Sequence, residues 1–173
     1  MTKTTIENYQ ERAGRTMASL GTLAADGMHM AAGFTTEIGE MKEGIANNDL
    51  VNVLEEIGDV WWYCANECTL YGFDLQHIVS LATVSEEVPF FLHNIVDLHK
   101  REFAYGKEMD IVKLKVELLS LAQYLLKIGK THYFSLGKIL DKNINKLYKR
   151  YPEKFTEDKA LNRDLEAEYK TLK

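Results

Sequence analysis

Proline, cysteine and long apolar runs are all scarce in this chain. Only two prolines occur in 173 residues, so helices can run for long stretches without the break that an internal proline imposes. Cys64 and Cys68 are too few for a disulfide framework or a zinc site and are expected to be reduced residues on one helix. No apolar run approaches the ~20 residues that span a bilayer. The polar N-terminus, with Glu7 and Glu11, does not resemble a signal peptide. These absences predict a soluble, cytoplasmic protein.

An excess of positive charge is also missing. The formal net charge is −5, and no basic face extends along the sequence. Polymeric DNA or RNA is therefore an unfavourable partner, and no membrane partner is expected. A small anionic ligand remains compatible with this charge if a metal ion neutralises its phosphates.

Helix-forming residues dominate what is present. Glu, Leu, Lys, Ala and Met fill long stretches between scattered Gly, Asn and Asp residues, and this pattern predicts an all-α helical bundle. The length suits one domain, residues 1–173, because 173 residues can bury a substantial core and no linker divides them. Helices are expected at about 5–25, 30–46, 50–70, 74–85, 89–105, 110–129, 135–151 and 156–172.

The sequence contains an internal similarity at an offset of 61 residues. Residues 56–63, followed by 73–78, resemble residues 117–124, followed by 134–139. One interpretation is a degenerate second repeat unit at about 88–151; the other is chance similarity between apolar helices. If the repeat is real, Ser120 takes the place of Asp59, and the second copy cannot hold the same metal.

Two acidic pairs form the most informative pattern. Residues 37–40 and 56–59 both read acid-x-x-acid, so the members of each pair share a helix face. Glu40 and Glu56 each lie eight residues from Asn48, and Glu37 and Asp59 each lie eleven residues from it. In an antiparallel helical hairpin, two residues that lie the same number of positions before and after the turn lie at the same height along the helix axis. The four carboxylates are therefore expected to converge.

Converging carboxylates repel each other and are costly to bury, so a cation is expected among them. Oxygen ligands without His or Cys suit Mg²⁺ or Mn²⁺, and Mg²⁺ leaves positions for water and phosphate. Gly39 and Gly58 are expected to let the two helices approach closely, at a cost of about 1 kcal/mol each in helix stability. The alternative is that the acids lie on solvated helix faces, and Glu43, Glu55 and Glu67 are assigned to that class.

Two segments carry a family resemblance. Residues 55–63 read Glu-Glu-Ile-Gly-Asp-Val-Trp-Trp-Tyr, and residues 143–152 read Asn-Ile-Asn-Lys-Leu-Tyr-Lys-Arg-Tyr-Pro. Together with the earlier acid-x-x-acid pair they resemble the MazG-like all-α nucleoside triphosphate pyrophosphohydrolases. That superfamily includes the dimeric dUTPases and the phosphoribosyl-ATP pyrophosphohydrolases. This chain differs from compact members by about 60 residues inserted between the two segments. The dimeric dUTPases resemble duplicated units that keep one acidic site, and the internal similarity, if it is a repeat, would place this chain nearer to them.

The resemblance implies a function and a set of site residues. It implies Mg²⁺-dependent (or Mn²⁺-dependent) hydrolysis of a (d)NTP to (d)NMP and pyrophosphate, as in nucleotide-pool house-cleaning, by a homodimer or higher homo-oligomer. The metal-binding and catalytic residues would be the four acids, with Glu37 or Glu40 as the candidate to orient water. The expected metal and catalytic set is Glu37, Glu40, Glu56 and Asp59, and the expected substrate-binding set is Trp62, Asn143, Lys146 and Arg150.

Several alternatives remain open at this point. Helix periodicity places Asn143, Lys146 and Arg150 at the edge of a core face, where they contact either phosphate or base, or pair with neighbouring acids. One of Trp61, Trp62 and Tyr63 stacks on a base, with Trp62 the candidate, or all three belong to the core. A ferritin-like di-metal oxidase requires Glu-x-x-His motifs, which the five histidines do not provide. A non-catalytic regulatory bundle is the main rival. The preferred base is not specified, so dUTP, dCTP, a broad dNTP set, and damaged or signalling nucleotides all remain candidates.

Overall fold

The structure, a computed structural model, describes residues 3–83 and 92–173. Within these residues the chain is helical and contains no β-strand, which confirms the all-α prediction. None of the described helices is both long enough and apolar enough to cross a lipid bilayer. The helices are α1 (Ile6–Gly14), α2 (Leu23–Ala46), α3 (Leu50–Leu70), α4 (Leu75–Leu81), α5 (Leu92–Tyr105), α6 (Ile111–Thr131), α7 (Leu136–Arg150), α8 (Glu157–Leu161) and α9 (Leu165–Leu172).

Side-chain caps define where several helices begin. Asp49, Asp74, Asp110 and Ser135 each accept a backbone N–H from the first turn of the following helix. A short polar side chain at this position satisfies donors that have no partner within the helix. The predicted starts of α3, α4, α6 and α7 therefore agree with the structure.

The predicted first helix is wrong, because residues 15–22 separate two helices. Thr22 caps α2, and the Asp26 carboxylate accepts the hydroxyl of Ser19 at 2.9 Å and the backbone N–H of Leu20 at 2.5 Å. Local side-chain acceptors of this kind compete with helical hydrogen bonds and stabilise a break. Apolar spacing alone did not reveal the break.

Gly27 lies inside α2, although the predicted helix ranges place residue 27 in the gap between two helices. A Cβ at this position would lie 2.4 Å from the Tyr71 hydroxyl and 2.7 Å from a ring nitrogen of His99. Glycine is therefore needed here for close packing of α2 against α3 and α5.

Two further boundaries differ from the prediction. Helix α4 ends at Leu81 rather than near residue 85, and the helix start expected at Pro89 lies outside the described residues. The single C-terminal helix expected at 156–172 is divided into α8 and α9. The division follows from a second cap, because Asp164 accepts the backbone N–H of Ala167 and starts a new helix.

Helices α2 and α3 form the antiparallel hairpin that carries all four acids predicted for the metal site. Asn48, with φ of 55°, makes the tight turn between them. Their facing stripes are fully or almost fully buried, so hydrophobic burial holds the hairpin together. The stripe residues are Phe34, Ile38 and Met41 on α2 and Val53, Ile57, Val60 and Cys64 on α3.

The glycines that permit close packing are not the two that were predicted. Apart from the adjoining backbone of its own helix, no heavy atom of residues 3–83 and 92–173 lies within 4 Å of a Cβ built on Gly39. A Cβ on Gly58 would lie 3.0 Å from the Cβ of Asn143, which belongs to α7 rather than α2. The closest approach within the hairpin involves Gly33, where a Cβ would lie 2.2 Å from ring atoms of Tyr63, and Gly44 follows, with a Val53 methyl at 3.1 Å.

The turns after α3 and α6 have matching geometry at the offset of 61 residues. Gly72 and Tyr133 both adopt positive φ, 72° and 60°. The backbone N–H of the following residue returns to the preceding helix in both turns, from Phe73 at 2.7 Å and from Phe134 at 2.8 Å. A duplicated unit predicts this similarity, and the duplication itself stays a prediction.

Candidate metal and nucleotide site

A cavity of about 370 Å³ opens beside the α2–α3 hairpin. Its walls come from these two helices, from the segment after α1, from the end of α7 and from the C-terminal region. Acidic side chains, two arginines and several aromatic rings line it. The lining residues are Thr16, His29, Glu37, Glu40, Glu55, Glu56, Asp59, Trp62, Tyr63, Leu147, Arg150, Tyr151, Phe155 and Arg163.

Three of the four predicted acids meet in this cavity. Glu37, Glu56 and Asp59 each offer a carboxylate oxygen, and the three oxygens lie within 4.8 Å of one another. They come from both helices of the hairpin, as the symmetric spacing about Asn48 predicts. Glu40 lines the same cavity but is exposed and lies outside this cluster.

Burial makes this cluster electrostatically unfavourable without a cation. The side chain of Glu56 is only 5% exposed, and burial raises the pKa of its carboxyl well above the ordinary value, with Glu37 and Asp59 raising it further. Burial also raises the pKa of Glu37, helped by Asp59 and Glu40 and opposed by a hydrogen bond from Glu56. The cluster therefore retains protons that a divalent cation would displace.

The donor set fits magnesium. The three clustered groups are all carboxylates, and among the lining residues His29 alone offers imidazole nitrogen while none offers sulfur. Hard oxygen donors with room for additional ligands are what Mg²⁺ prefers. The acidic cluster and the open cavity meet both requirements.

Two side chains of α7 donate hydrogen bonds to the Asp59 carboxylate. Asn143 Nδ2 donates to Asp59 Oδ1 at 2.8 Å, and Lys146 Nζ donates to Asp59 Oδ2 at 2.5 Å and to Glu55 Oε1 at 3.0 Å. Asn143 and Lys146 are 2% and 1% exposed and do not line the cavity. Their predicted contact with substrate stays a prediction, and the geometry favours a role in positioning the carboxylates.

Lys146 supplies a fixed positive charge next to the acidic cluster. Burial alone would lower the pKa of its ammonium, but the carboxylates of Asp59 and Glu55 outweigh burial and raise that pKa. The ammonium therefore stays charged at neutral pH. The assignment of Glu55 to a solvated helix face is wrong, since this side chain pairs with Lys146 and lines the cavity.

Arg150 reaches the cavity from the end of α7. Its guanidinium donates twice to Glu168 of α9, from Nε at 2.9 Å and from Nη2 at 2.5 Å. Arg163 donates to the same carboxylate at 2.8 Å. Burial would raise the pKa of Glu168, but the two arginines outweigh it and lower that pKa. Two cations and one anion leave a net positive charge at this part of the cavity wall.

Arg163 and Glu168 were not identified from the sequence. They lie in a polar C-terminal region whose pattern assigns no particular face to either residue. Their role emerges only from the packing of α9 against α7. No signal in the sequence distinguishes Arg163 from the other basic residues near it.

Sequence comparison supports the same region of the chain. Residues 27–88 match the family model of the MazG nucleotide pyrophosphohydrolase domain. The chain contains a MazG-like segment. This confirms the predicted resemblance, and the match supports a hydrolase that acts on nucleotide pyrophosphate bonds in general. Comparisons with curated proteins and with solved structures give no significant match.

The MazG-like segment includes all four predicted acids and Trp62, whereas the α7 residues lie outside it. The assignment of these residues to the site therefore depends only on the geometry described above and on the sequence resemblance of Asn143, Lys146 and Arg150. Their contacts with the acidic helix α3 and with α9 tie them to the same site.

Aromatic side chains form the wall next to the acids. Trp61 is fully buried in the core, whereas Trp62 and Tyr63 line the cavity, with their rings edge to face at 4.8 Å. The indole N–H of Trp62 donates to the Thr16 hydroxyl at 2.9 Å, which fixes the ring. The Nδ1 atom of His29 is buried and has no hydrogen-bond partner among residues 3–83 and 92–173. This wall offers flat apolar surface and one unsatisfied polar atom.

Glu67 lies outside the site and contradicts its predicted exposure. Its carboxylate is fully buried, and Oε1 lies 2.7 Å from Nε2 of His99 on α5. Burial raises the pKa of Glu67 against the opposing effect of His99. Glu67 follows Glu56 by eleven residues, about three helical turns, so the two side chains lie on the same side of α3.

Proposed function

We propose that this protein is a Mg²⁺-dependent nucleoside triphosphate pyrophosphohydrolase that converts a (d)NTP to a (d)NMP and pyrophosphate and serves to clean the nucleotide pool. One observation supports this above all others. Carboxylate oxygens from Glu37, Glu56 and Asp59 lie within 4.8 Å of one another at the edge of an open cavity. The MazG-like segment that contains them agrees with hydrolysis at a nucleotide pyrophosphate bond.

We assign the metal ion to one part of the cavity and a contact with the phosphates to another. In this proposal Glu37, Glu56 and Asp59 hold the metal, with Glu40 beside them. The bound ion supplies charge neutralisation for the phosphates and lowers the pKa of a coordinated water. Arg150 binds a phosphate oxygen, as a planar guanidinium does well. Positioning and electrostatics of this kind provide most of the rate enhancement in phosphoryl transfer.

The nucleoside is assigned to the aromatic wall. Trp62 presents a ring whose orientation is fixed by its hydrogen bond to Thr16, so stacking on it costs little further ordering. His29 lines the same wall, and its Nδ1 atom, which has no partner within the described part of the chain, suits a hydrogen bond to a base or sugar. Neither residue selects one base, so the proposal covers nucleoside triphosphates as a class.

Glu40 is the residue we assign to the attacking water. It lines the cavity and is exposed, and it lies outside the three-carboxylate cluster. The water oxygen forms a bond to the α-phosphorus, and its proton passes to the Glu40 carboxylate. The bond from the α-phosphorus to the bridging oxygen breaks, and pyrophosphate leaves with that oxygen.

A nucleotide panel tests the reaction. Each of the common NTPs and dNTPs is incubated with and without Mg²⁺, and pyrophosphate and orthophosphate are measured separately. The expected products are the monophosphate and pyrophosphate, with the oxygen of ¹⁸O-labelled water in the monophosphate. Release of orthophosphate alone would refute the cleavage position.

Matched variants test the metal site. Glu56→Gln should abolish turnover, whereas Glu43→Gln, which changes an exposed acid on α2, should not. Full turnover by Glu56→Gln would remove the metal assignment. If the wild-type protein hydrolyses nothing and Gln variants of the four acids are only stabilised, a non-catalytic helical regulatory protein is the better interpretation.

We extend the proposal to organisation and assembly. The chain is a single domain, 1–173, in which about 88–151 is a degenerate second unit, and it forms a homodimer or a higher homo-oligomer. An apolar groove between α4 and α6 with exposed Val112 and Val116 supports self-association. Light scattering coupled to size-exclusion chromatography should give a mass of at least two chains. A monomer at micromolar concentration would contradict the assembly without affecting the reaction.

A further inference from the structure

Tyr9 reaches the candidate site from α1, outside the MazG-like segment. Its side chain is fully buried, and its hydroxyl donates to Asn143 Oδ1 at 2.8 Å. The same hydroxyl oxygen lies 3.4 Å from the carbonyl oxygen of Gly58. Both partners adjoin Asp59, the first through a hydrogen bond and the second along α3.

The hydrogen bonds of Asn143 fix the orientation of its side-chain amide. Its Oδ1 accepts from Tyr9, and its Nδ2 donates to Asp59 Oδ1 at 2.8 Å. If the amide were reversed, its oxygen would face the Asp59 carboxylate, and two acceptors would repel each other. The Tyr9 hydroxyl therefore satisfies the amide oxygen in the one orientation that lets Asn143 donate to Asp59.

The Asp59 carboxylate is fixed by two donors on α7. Asn143 donates to one oxygen and Lys146 donates to the other. Each carboxylate oxygen has a second lone pair, and these remain free for the cavity where Glu37 and Glu56 lie. The orientation of Asp59 toward that cluster thus depends on contacts made behind it.

We propose that Tyr9 and Asn143 are positioning residues that orient Asp59 for a divalent cation, so that α1 is part of the metal site. This inference rests on the proposed function only in requiring that the acidic cluster binds Mg²⁺. A hydroxyl buried among apolar side chains is costly unless it is hydrogen-bonded. Phenylalanine would fill the same space, and the described partners of the Tyr9 hydroxyl both belong to this site.

Gly58 completes the arrangement. A Cβ there would lie 3.0 Å from the Cβ and 3.2 Å from Nδ2 of Asn143. Such distances are shorter than ordinary van der Waals contact, so a side chain at position 58 would displace the amide from Asp59. Glycine in the acidic motif is therefore explained by the position of Asn143.

Magnesium affinity in Tyr9→Phe, Asn143→Leu and the double variant tests the inference. Titration calorimetry with MgCl₂ alone measures the affinity, and the EPR spectrum of bound Mn²⁺ reports the ligand geometry. Asn143→Leu should weaken binding by about 10- to 100-fold, as loss of a group that supports a metal ligand does. Tyr9→Phe should weaken it by about two- to tenfold, which corresponds to one hydrogen bond. The double variant should bind no more weakly than Asn143→Leu, because both changes interrupt one chain of contacts.

Tyr71→Phe is the matched control. It removes a tyrosine hydroxyl that donates to Glu102 at 2.5 Å, away from the acidic cluster, and should leave magnesium affinity unchanged. Unchanged affinity in Tyr9→Phe, or an equal loss in Tyr71→Phe, would overturn the inference. If Asn143→Leu does not fold, Tyr9→Phe decides alone. A wild-type protein that binds Mg²⁺ without producing pyrophosphate would refute the proposed reaction and leave this inference intact, whereas one that does not bind Mg²⁺ would remove both.

Discussion

The ammonium of Lys146 lies 2.5 Å from Asp59 Oδ2 and is almost completely buried between α3 and α7. It also contacts Glu55, so one cation offsets two carboxylates. Removing one partner of a buried ion pair leaves the other charge without compensation. Lys146 therefore has a structural role through these ion pairs, independently of its predicted contact with substrate.

Lys146→Met should therefore destabilise the metal-free protein by about 3 kcal/mol, the lower end for a buried pair because Asp59 and Glu55 remain partly exposed. Added Mg²⁺ should recover part of this loss, because the ion offsets the same carboxylates. Urea unfolding with EDTA and with MgCl₂ measures both effects. Lys138→Met, on the exposed face of α7, is the control and should change stability little. A loss as small as that of Lys138→Met would contradict the role of Lys146.

The raised pKa values of Glu37 and Glu56 predict how metal-free stability depends on pH. Their ordinary value is 4.5, so the unfolded chain loses these protons at lower pH than the folded protein does. Above that pH the folded state binds more protons, and stability falls as pH rises. The slope should reach up to about 1.4 kcal/mol per pH unit for one carboxyl. Urea unfolding in EDTA between about pH 5 and about pH 8 measures this slope.

Glu56→Gln is the control for this dependence, because it removes the group whose pKa is raised most clearly. The slope should flatten in the variant. Binding of Mg²⁺ to the wild type should release protons, and calorimetric enthalpies should therefore differ between buffers of different ionisation enthalpy. Equal slopes in the two proteins, together with buffer-independent enthalpies, would show that the cluster is ionised without metal.

The part of the site that was predictable from sequence lies in one local hairpin. Helices α2 and α3 are joined by a tight turn at Asn48, so counting residues was enough to bring Glu37 and Asp59 to the same height. The break at 15–22 was missed because hydrogen bonds to Asp26, rather than apolar spacing, stabilise it.

Contacts between distant helices were not predictable in the same way. Asn143 and Asp59 are separated by 84 positions in the sequence. Periodicity placed Asn143 at the edge of a core face, but the partner across that edge depends on how α7 packs on α3. The pairing of Arg150 with Glu168 likewise depends on the docking of α9. Helical periodicity identifies which face of a helix is buried, but it does not specify which other helix packs against that face.

The two glycines of the acidic motifs should respond oppositely to alanine. Gly39 has open space where a Cβ would lie, so Gly39→Ala should stabilise the protein by up to about 1 kcal/mol through helix propensity. Gly58→Ala should destabilise it and weaken magnesium binding, because the new methyl group would crowd Asn143. Thermal unfolding and magnesium titration of the two variants provide the comparison. Stabilisation by both substitutions would show that Asn143 moves aside without consequence.

Arg163 should affect binding of the phosphate tail more than the chemical step. It lines the cavity and shares Glu168 with Arg150, so its guanidinium adds positive charge to the cavity wall. Arg163→Ala should raise KM for a nucleoside triphosphate by about tenfold, equivalent to about 1.4 kcal/mol, and change kcat by less than about threefold. Affinity for the monophosphate product should change little, because that product lacks the terminal phosphates.

Steady-state kinetics with the best triphosphate, and calorimetry with its monophosphate, separate these effects. Lys170→Ala is the matched control, since Lys170 is an exposed cation on α9 that pairs with Glu166 away from the cavity. Lys170→Ala should leave KM unchanged if Arg163 binds the phosphates by direct contact, rather than through the overall positive charge of the C-terminal region. A uniform loss of affinity for triphosphate and monophosphate in Arg163→Ala would instead assign this arginine to the nucleoside, and the orientation proposed for the substrate would have to be reversed.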